Sequence, residues 1–368
     1  MLSYLDKTKP YSLYIHVPFC HKRCDYCAFY SLENCPSNQI DAYYDYLVNE
    51  IKELTKKLDK PFYTIFIGGG NHAILTIDRL IEIIKLCTIH GKSEEITIEF
   101  NPEYINESII PLFRYINRIS VGIQTFSQKG LNTLGRNTKT ETAIKALEFL
   151  SKYDINKNAD LITCIPNESI EQSINDITKL SSYGVNHISL YALTFEEGTM
   201  LTKREEAIED KTQAEYLEKL WSHLEHLGYK QYEISNFAQS GKECKHNLVY
   251  WHLGQYFAIG SSAEGSLGYK KVYSYANSQS ITDIVRSSST INNIELQEEI
   301  LLTHLRISSG IDKAEYKERT GHDFDKKYEK AINKLDSDLF VNNTNSFYLT
   351  KKGFLLLDFI VLQLAMLI

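Results

Sequence analysis

A chain of 368 residues, 43% hydrophobic and 24% charged, has the composition of a soluble globular protein, with length for two or three domains or one large barrel plus an appendage. Its net charge of -7 argues against a general nucleic-acid binder, because neutralising phosphates needs a basic field. Seven cysteines, an odd number with three crowded between Cys20 and Cys27, read as metal ligands rather than a disulfide framework.

Met1 to Pro10 is polar, and the YSLYIHV that follows is too short for a signal core, so a cytoplasmic location is expected. Six short runs rich in Ile, Val, Tyr or Phe then read as buried parallel strands: Leu13–Val17, Tyr63–Ile67, Ile96–Phe100, Arg118–Ile123, Ala159–Cys164 and His187–Ala192. Helical patterns lie between them at Ile40–Leu58, Ile77–Ile89, Asn106–Tyr115, Thr140–Lys152 and Ser169–Tyr183. This alternation predicts an α/β fold, a partial (β/α)6 parallel barrel over residues 1–235, with ligands at the carboxyl ends of its strands.

Past Phe195 a helix at Asp210–Leu227, a strand at Tyr229–Ser235 and a loop at Ala238–Lys245 are expected. The string HNLVYWHLGQYFAIGSSAEGS reads as irregular and places a linker segment at 236–292. From Asn293 to the end, three helices, paired strands at Leu339–Asn342 and Ser346–Thr350, and a last helix predict a small α+β region with a winged-helix-like module, 293–368. The closing run FLLLDFIVLQLAMLI carries Asp358 and Gln363 and is shorter than the ~20 residues a bilayer span needs, so it reads as a packed terminal helix.

Cys20, Cys24 and Cys27 stand in C-x3-C-x2-C spacing just after the first strand. A four-iron cluster takes four terminal ligands, and ferredoxin-type sites supply four thiolates. Three thiolates leave one iron open to a chelator such as the amino and carboxylate groups of S-adenosylmethionine. Lys22 and Arg23 would help hold an anionic cluster. A zinc site completed by His16 or His21 stays open as an alternative, as do three incidental buried thiols.

On this motif, on the glycine triplet Gly68–Gly70 at the second strand's end, and on the string His246-Asn247-Leu248-Val249-Tyr250-Trp251, the chain resembles the radical S-adenosylmethionine family. Within it the resemblance is to the oxygen-independent coproporphyrinogen III oxidase-like branch, heme-chaperone (HemW) type, and it covers nearly the whole chain. The resemblance implies a [4Fe–4S] cluster on Cys20, Cys24 and Cys27. It implies S-adenosylmethionine contacts at Tyr14, Tyr26, Gly69, Gly70, Asn71, Glu99, Gln124, Arg136 and Asp160. Asn71-His72 stands where the family has Thr-Pro, and Asn167 where it has Gly, which bears on the rigidity of both loops.

The HNxxYW string implies heme binding through His246 and Tyr250. From residue types alone, the same residues would cap a helix and pack a core. The implied function is a heme chaperone passing heme to an acceptor protein, with peripheral membrane contact through that acceptor, a homodimer, and no nucleic acid. The alternative is coproporphyrinogen III oxidation or related radical chemistry on a tetrapyrrole. Phe29, where the oxidase carries a fourth cysteine, and a cluster motif so near residue 1 argue against it. Whether the chain is an enzyme stays open, and no catalytic residue is assigned.

Overall fold

The computed structural model describes residues 1–366, and its spine is a twelve-stranded, mostly parallel sheet. Six strands pair in parallel in chain order: β1 (Tyr11–Val17), β2 (Thr64–Gly69), β3 (Glu95–Phe100), β4 (Arg118–Gln124), β5 (Asn156–Thr163) and β6 (His187–Ala192). These are the six expected strands, shifted only at their ends. Residues such as Leu13, Ile15, Ile65, Ile67, Ile98, Ile119 and Val121 are buried against the helices, and the alternate residues face the concave side.

The helices α1 (Ser37–Thr55), α2 (Ile77–Cys87), α3 (Thr140–Leu150) and α4 (Ile170–Ser182) form the outer layer. Tyr43, Tyr44, Leu47, Ile51 and Leu54 make the buried stripe of α1 that their spacing predicted. Asn106–Tyr115, expected as an α-helix, is instead a 3-10 segment, Glu107–Arg114. Pro111 inside it lacks the N–H that the α ladder needs.

After β6 come α5 (Asp210–His226) and a sharp reversal in place of the expected strand Tyr229–Ser235. The Glu233 carboxylate accepts the Ser235 N–H at 2.9 Å and the side chain of Asn236, turning the chain into a hairpin. Lys230–Gln231 pairs with β7 (Asn236–Ala238), which runs antiparallel to β6.

The segment expected to be irregular is ordered. It forms α6 (Lys245–Trp251), β8 (Gln255–Ile259), β9 (Glu264–Leu267), β10 (Tyr273–Asn277) and β11 (Arg286–Thr290). β8 lies parallel beside β1, and β9 to β11 follow as an antiparallel meander. The sheet order is therefore β11-β10-β9-β8-β1-β2-β3-β4-β5-β6-β7, with Lys230–Gln231 at the far edge.

The last part holds α7 (Asn293–His304), β12 (Ile311–Asp312), α8 (Lys313–Thr320), α9 (Phe324–Ile332), β13 (Phe340–Asn342), β14 (Ser346–Leu349) and α10 (Leu357–Ala365). The three strands make a separate antiparallel sheet in the order β12-β14-β13, the helix-and-wing layout expected. The terminal apolar run is the packed helix α10, with Leu357, Ile360, Val361 and Leu364 buried; residues 367 and 368 lie outside the described part. Among the described residues no helix is long and apolar enough to cross a membrane.

Candidate cofactor site

The carboxyl ends of β1 to β6 surround one cavity of about 630 Å³. Its wall contains Cys20, Cys24, Cys27, Tyr26, Gly69, Gly70, Asn71, Glu99, Gln124, Arg136 and Asp160. Eleven of the fourteen residues singled out from sequence thus meet at one place, although they come from separate βα units. Tyr14, His246 and Tyr250 do not line it.

The cysteines sit on the loop after β1, which is pressed against the end of β2. A Cβ on Gly70 would lie 2.4 Å from the Phe19 carbonyl oxygen and 3.1 Å from Cys20 Sγ, so only glycine lets the two loops approach this closely. The loss of the family's proline after this triplet is compensated locally. The carbonyl oxygen of Glu99 accepts a hydrogen bond from His72 Nδ1 at 2.9 Å, and Asn71 Oδ1 accepts the Ala73 N–H at 3.2 Å. His72 is completely buried, so its ring fixes the loop to β3. Asn167 has φ 63°, the left-handed geometry for which its family position uses glycine.

Arg136 is the positive centre of the cavity. Its guanidinium donates to the Gly122 carbonyl and to Asn101 Oδ1, both at 3.0 Å, and lies 3.4 Å from the Tyr26 hydroxyl and 3.8 Å from Cys24 Sγ. Burial pushes the Cys24 thiol up, and the Arg136 charge works against that shift. Cys20 is raised to about 11, first by burial and then by the other two thiols. The Glu99 carboxyl is raised to about 8 by burial and by Asp160, while the Gly69 N–H at 3.2 Å pulls it down. Asp160 is raised by burial and steadied by Asn158 and Ser120. Asn101, Ser120 and Asn158 were missed from sequence. The last two stand two residues from Gly122 and Asp160 on the same strands, so strand alternation was the available signal.

The HNxxYW helix α6 packs on the concave side against β2, and its Asn247 reaches the cavity wall. His246 is fully buried, with Nδ1 2.7 Å from Thr64 Oγ1 and Nε2 2.7 Å from the Tyr250 hydroxyl. Its ring packs on Phe66 at 5.2 Å, Tyr250 continues to Tyr256 at 4.6 Å, and burial lowers His246 to about 3. His246 and Tyr250, the two residues expected at heme, thus bond to each other, and the second ring nitrogen of His246 is held by Thr64. The Tyr14 hydroxyl lies 2.8 Å from His16 Nδ1.

The buried Glu95–Arg118 pair, 2.9 Å apart, pins the segment leading into α6. Glu95 accepts the N–H groups of Lys245 and His246, and Arg118 donates to the carbonyls of Lys242 and Glu243. The carboxylate therefore caps α6 from another strand.

Residues 14–180 match the Radical SAM superfamily model, and residues 291–356 match the HemN C-terminal domain model. A heme chaperone HemW from Buchnera aphidicola subsp. Schizaphis graminum is 31% identical over 96% of this chain and 97% of its own length. The chain belongs to the heme chaperone HemW family. HemW of Lactococcus lactis is 32% identical over 94% of this chain and 95% of that protein, and HemW of Bacillus subtilis 30% over 94% and 96%. Coproporphyrinogen III oxidase (HemN) from Escherichia coli superimposes with a TM-score of 0.81 over 97% of this chain and 90% of that one. At 18% identity, that likeness describes the fold.

As a radical SAM fold, the HemW family implies a [4Fe–4S] cluster and S-adenosylmethionine. The residues present fit the pair. All seven cysteines are free, and three of them share the cavity rim with an arginine. His16 has Nδ1 bonded to Tyr14 and Nε2 3.3 Å from the Tyr30 carbonyl, so it is not free to complete a zinc site.

Proposed function

We infer that this protein is a heme chaperone that carries a [4Fe–4S] cluster with S-adenosylmethionine and passes heme to an acceptor protein. The observation that carries the reading is similarity to proteins named heme chaperone HemW that runs through nearly the full length of both chains. Phe29, 73% exposed at the cavity wall where the oxidase resemblance calls for a fourth cysteine, supports it.

In this reading Cys20, Cys24 and Cys27 hold the cluster. Arg136, anchored by Gly122 and Asn101, receives the cofactor carboxylate. Gly69, Gly70 and Asn71 line the methionine end, and Glu99, Gln124, Asp160 and Tyr26 surround the rest. Glu99 and Asp160 are raised carboxyls in a cavity lined mostly by carbon, so a cationic ligand that ionises them gains a strong partner. The chemistry that cluster and cofactor supply together is one-electron cleavage of a sulfonium carbon–sulfur bond. This chain's residues bind, orient and shield that pair.

The test is hemin titration of anaerobically purified protein, followed by incubation with coproporphyrinogen III, reductant and S-adenosylmethionine. A saturable Soret band at micromolar hemin with no decarboxylated product is expected. Absence of the band would sink the reading.

A further inference from the structure

The residues assigned to the cofactor sit at the carboxyl ends of the strands, but the cavity continues below them. Thr97 stands two residues before Glu99 on β3, and Asn158 two before Asp160 on β5; both line the cavity. Two residues of strand span about 7 Å, so these side chains form a layer beneath the cofactor groups. Arg118 lies deeper still, four residues before Gly122 on β4. It is the Cα partner of Thr97 across the β3–β4 ladder, which puts the two side chains next to each other on the concave face.

This floor has hydrogen-bond donors without acceptors. Arg118 is 1% exposed and Thr97 0%. Arg118 Nε donates to Glu95 and Nη2 to the carbonyls of Lys242 and Glu243, while Nη1 has no partner among the described residues. Thr97 Oγ1 has none either. His187 and Cys244, which line the same cavity, are already engaged. His187 lies 2.5 Å from Asn158 Oδ1 and 2.8 Å from the Tyr232 hydroxyl, and Cys244 Sγ donates to Glu95 at 3.4 Å. Buried polar groups are nearly always paired, so an orphaned guanidinium nitrogen beside an orphaned hydroxyl calls for a missing partner. A guanidinium only donates, and a carboxylate only accepts, with two oxygens to share between neighbouring donors. Glu95 is the one carboxylate on Arg118 among the described residues. Burial raises both Glu99 and Asp160, which lessens their repulsion of an incoming anion.

We propose that the cavity floor is a second ligand site, in which Arg118 Nη1 and Thr97 Oγ1 together receive a carboxylate beneath the cofactor. Two sources carry that group: a propionate of a tetrapyrrole and a free organic acid. Asn247 lines the same cavity, so the HNxxYW helix borders the space in which the first would lie. The site goes beyond the heme-chaperone reading and does not require it.

The experiment titrates anaerobically reconstituted full-length protein, with S-adenosylmethionine present, against hemin, hemin dimethyl ester and succinate. Wild type is compared with Thr97→Val and Arg118→Lys. Thr97→Val keeps the shape and removes only a hydroxyl that no protein group uses, so its melting temperature should not fall. A tetrapyrrole source predicts that wild type binds hemin about tenfold more tightly than the ester, the worth of a charged hydrogen bond. A free-acid source predicts succinate binding with hemin and ester alike. In either case Thr97→Val should lose most of the carboxylate-dependent affinity while staying as stable as wild type, which a merely structural role would not produce. Arg118→Lys should lose it too, but it also loosens α6, so the Thr97→Val result decides. Equal binding of hemin and ester together with no succinate binding would overturn the site, as would a Thr97→Val variant that titrates like wild type. Succinate binding with neither hemin nor ester bound would leave the floor site standing and overturn the chaperone reading instead.

Discussion

Replacing Glu95 by alanine should be among the most damaging single changes to this fold, although the residue touches no ligand. Glu95 is 3% exposed and Arg118 1% exposed, so the substitution leaves a guanidinium buried without its counter-charge. Removing one partner of such a pair costs about 3–5 kcal/mol. The same carboxylate accepts the Lys245 and His246 N–H groups at 3.2 and 3.0 Å, and losing a helix cap adds about 1 kcal/mol. The sum, about 4–6 kcal/mol, is a large share of the ~5–15 kcal/mol that stabilises a typical fold. Urea denaturation followed by tryptophan fluorescence checks this, since Trp251 lies on the helix that would be released. Glu95→Ala combined with Arg118→Met should recover part of the loss, because the orphaned charge is gone. A cost below about 1 kcal/mol for Glu95→Ala, or a double variant weaker than the two single losses added, would refute the reasoning.

Other consequences are as specific. Glu99 titrates near 8 in the folded chain against 4.5 ordinarily, so its contribution to stability is full below about pH 4.5 and is lost as pH rises towards 8. Glu99→Gln should remove that slope and be the more stable protein at pH 8 by a few kcal/mol, since each tenfold change in proton affinity is worth about 1.4 kcal/mol; parallel pH–stability curves would refute the assignment. Gly70→Ala should leave circular dichroism native but lower the iron content after reconstitution, because the new methyl must displace the Phe19 carbonyl or Cys20. Asn167→Ala should cost about 1 kcal/mol and Asn167→Gly only a few tenths, as read by thermal unfolding, since φ 63° penalises a Cβ.

What the sequence made legible follows how far apart the interacting groups lie. The cysteine loop, the glycine triplet, Glu99, Gln124 and Asp160 each sit on or beside a strand recognisable from its own apolar run, and parallel pairing brings those strands together. The HNxxYW segment was opaque because its structure is non-local. Thr64 lies 182 residues from His246, and β8 pairs with a strand at the other end of the barrel sequence, Tyr11 lying beside Gln255. No local pattern reveals that a histidine has both nitrogens satisfied at that distance. In the sequence His72 stands only for a missing proline, and its anchoring role emerges with the Glu99 carbonyl opposite it.

α6 is also the joint between the two regions that the family models match separately. Beyond its buried face, the Arg306 guanidinium stacks over Trp251 at 4.7 Å, and the His252 and His304 rings meet edge to face at 5.7 Å. Arg319 binds the carbonyls of His252 and Leu253 that end the helix. A chain cut after residue 292 would therefore strip the outer support from α6, exposing Trp251 and leaving those carbonyls unpaired. The barrel and the helix-and-wing module should unfold in one transition, and the barrel alone should not be separable as a working fragment.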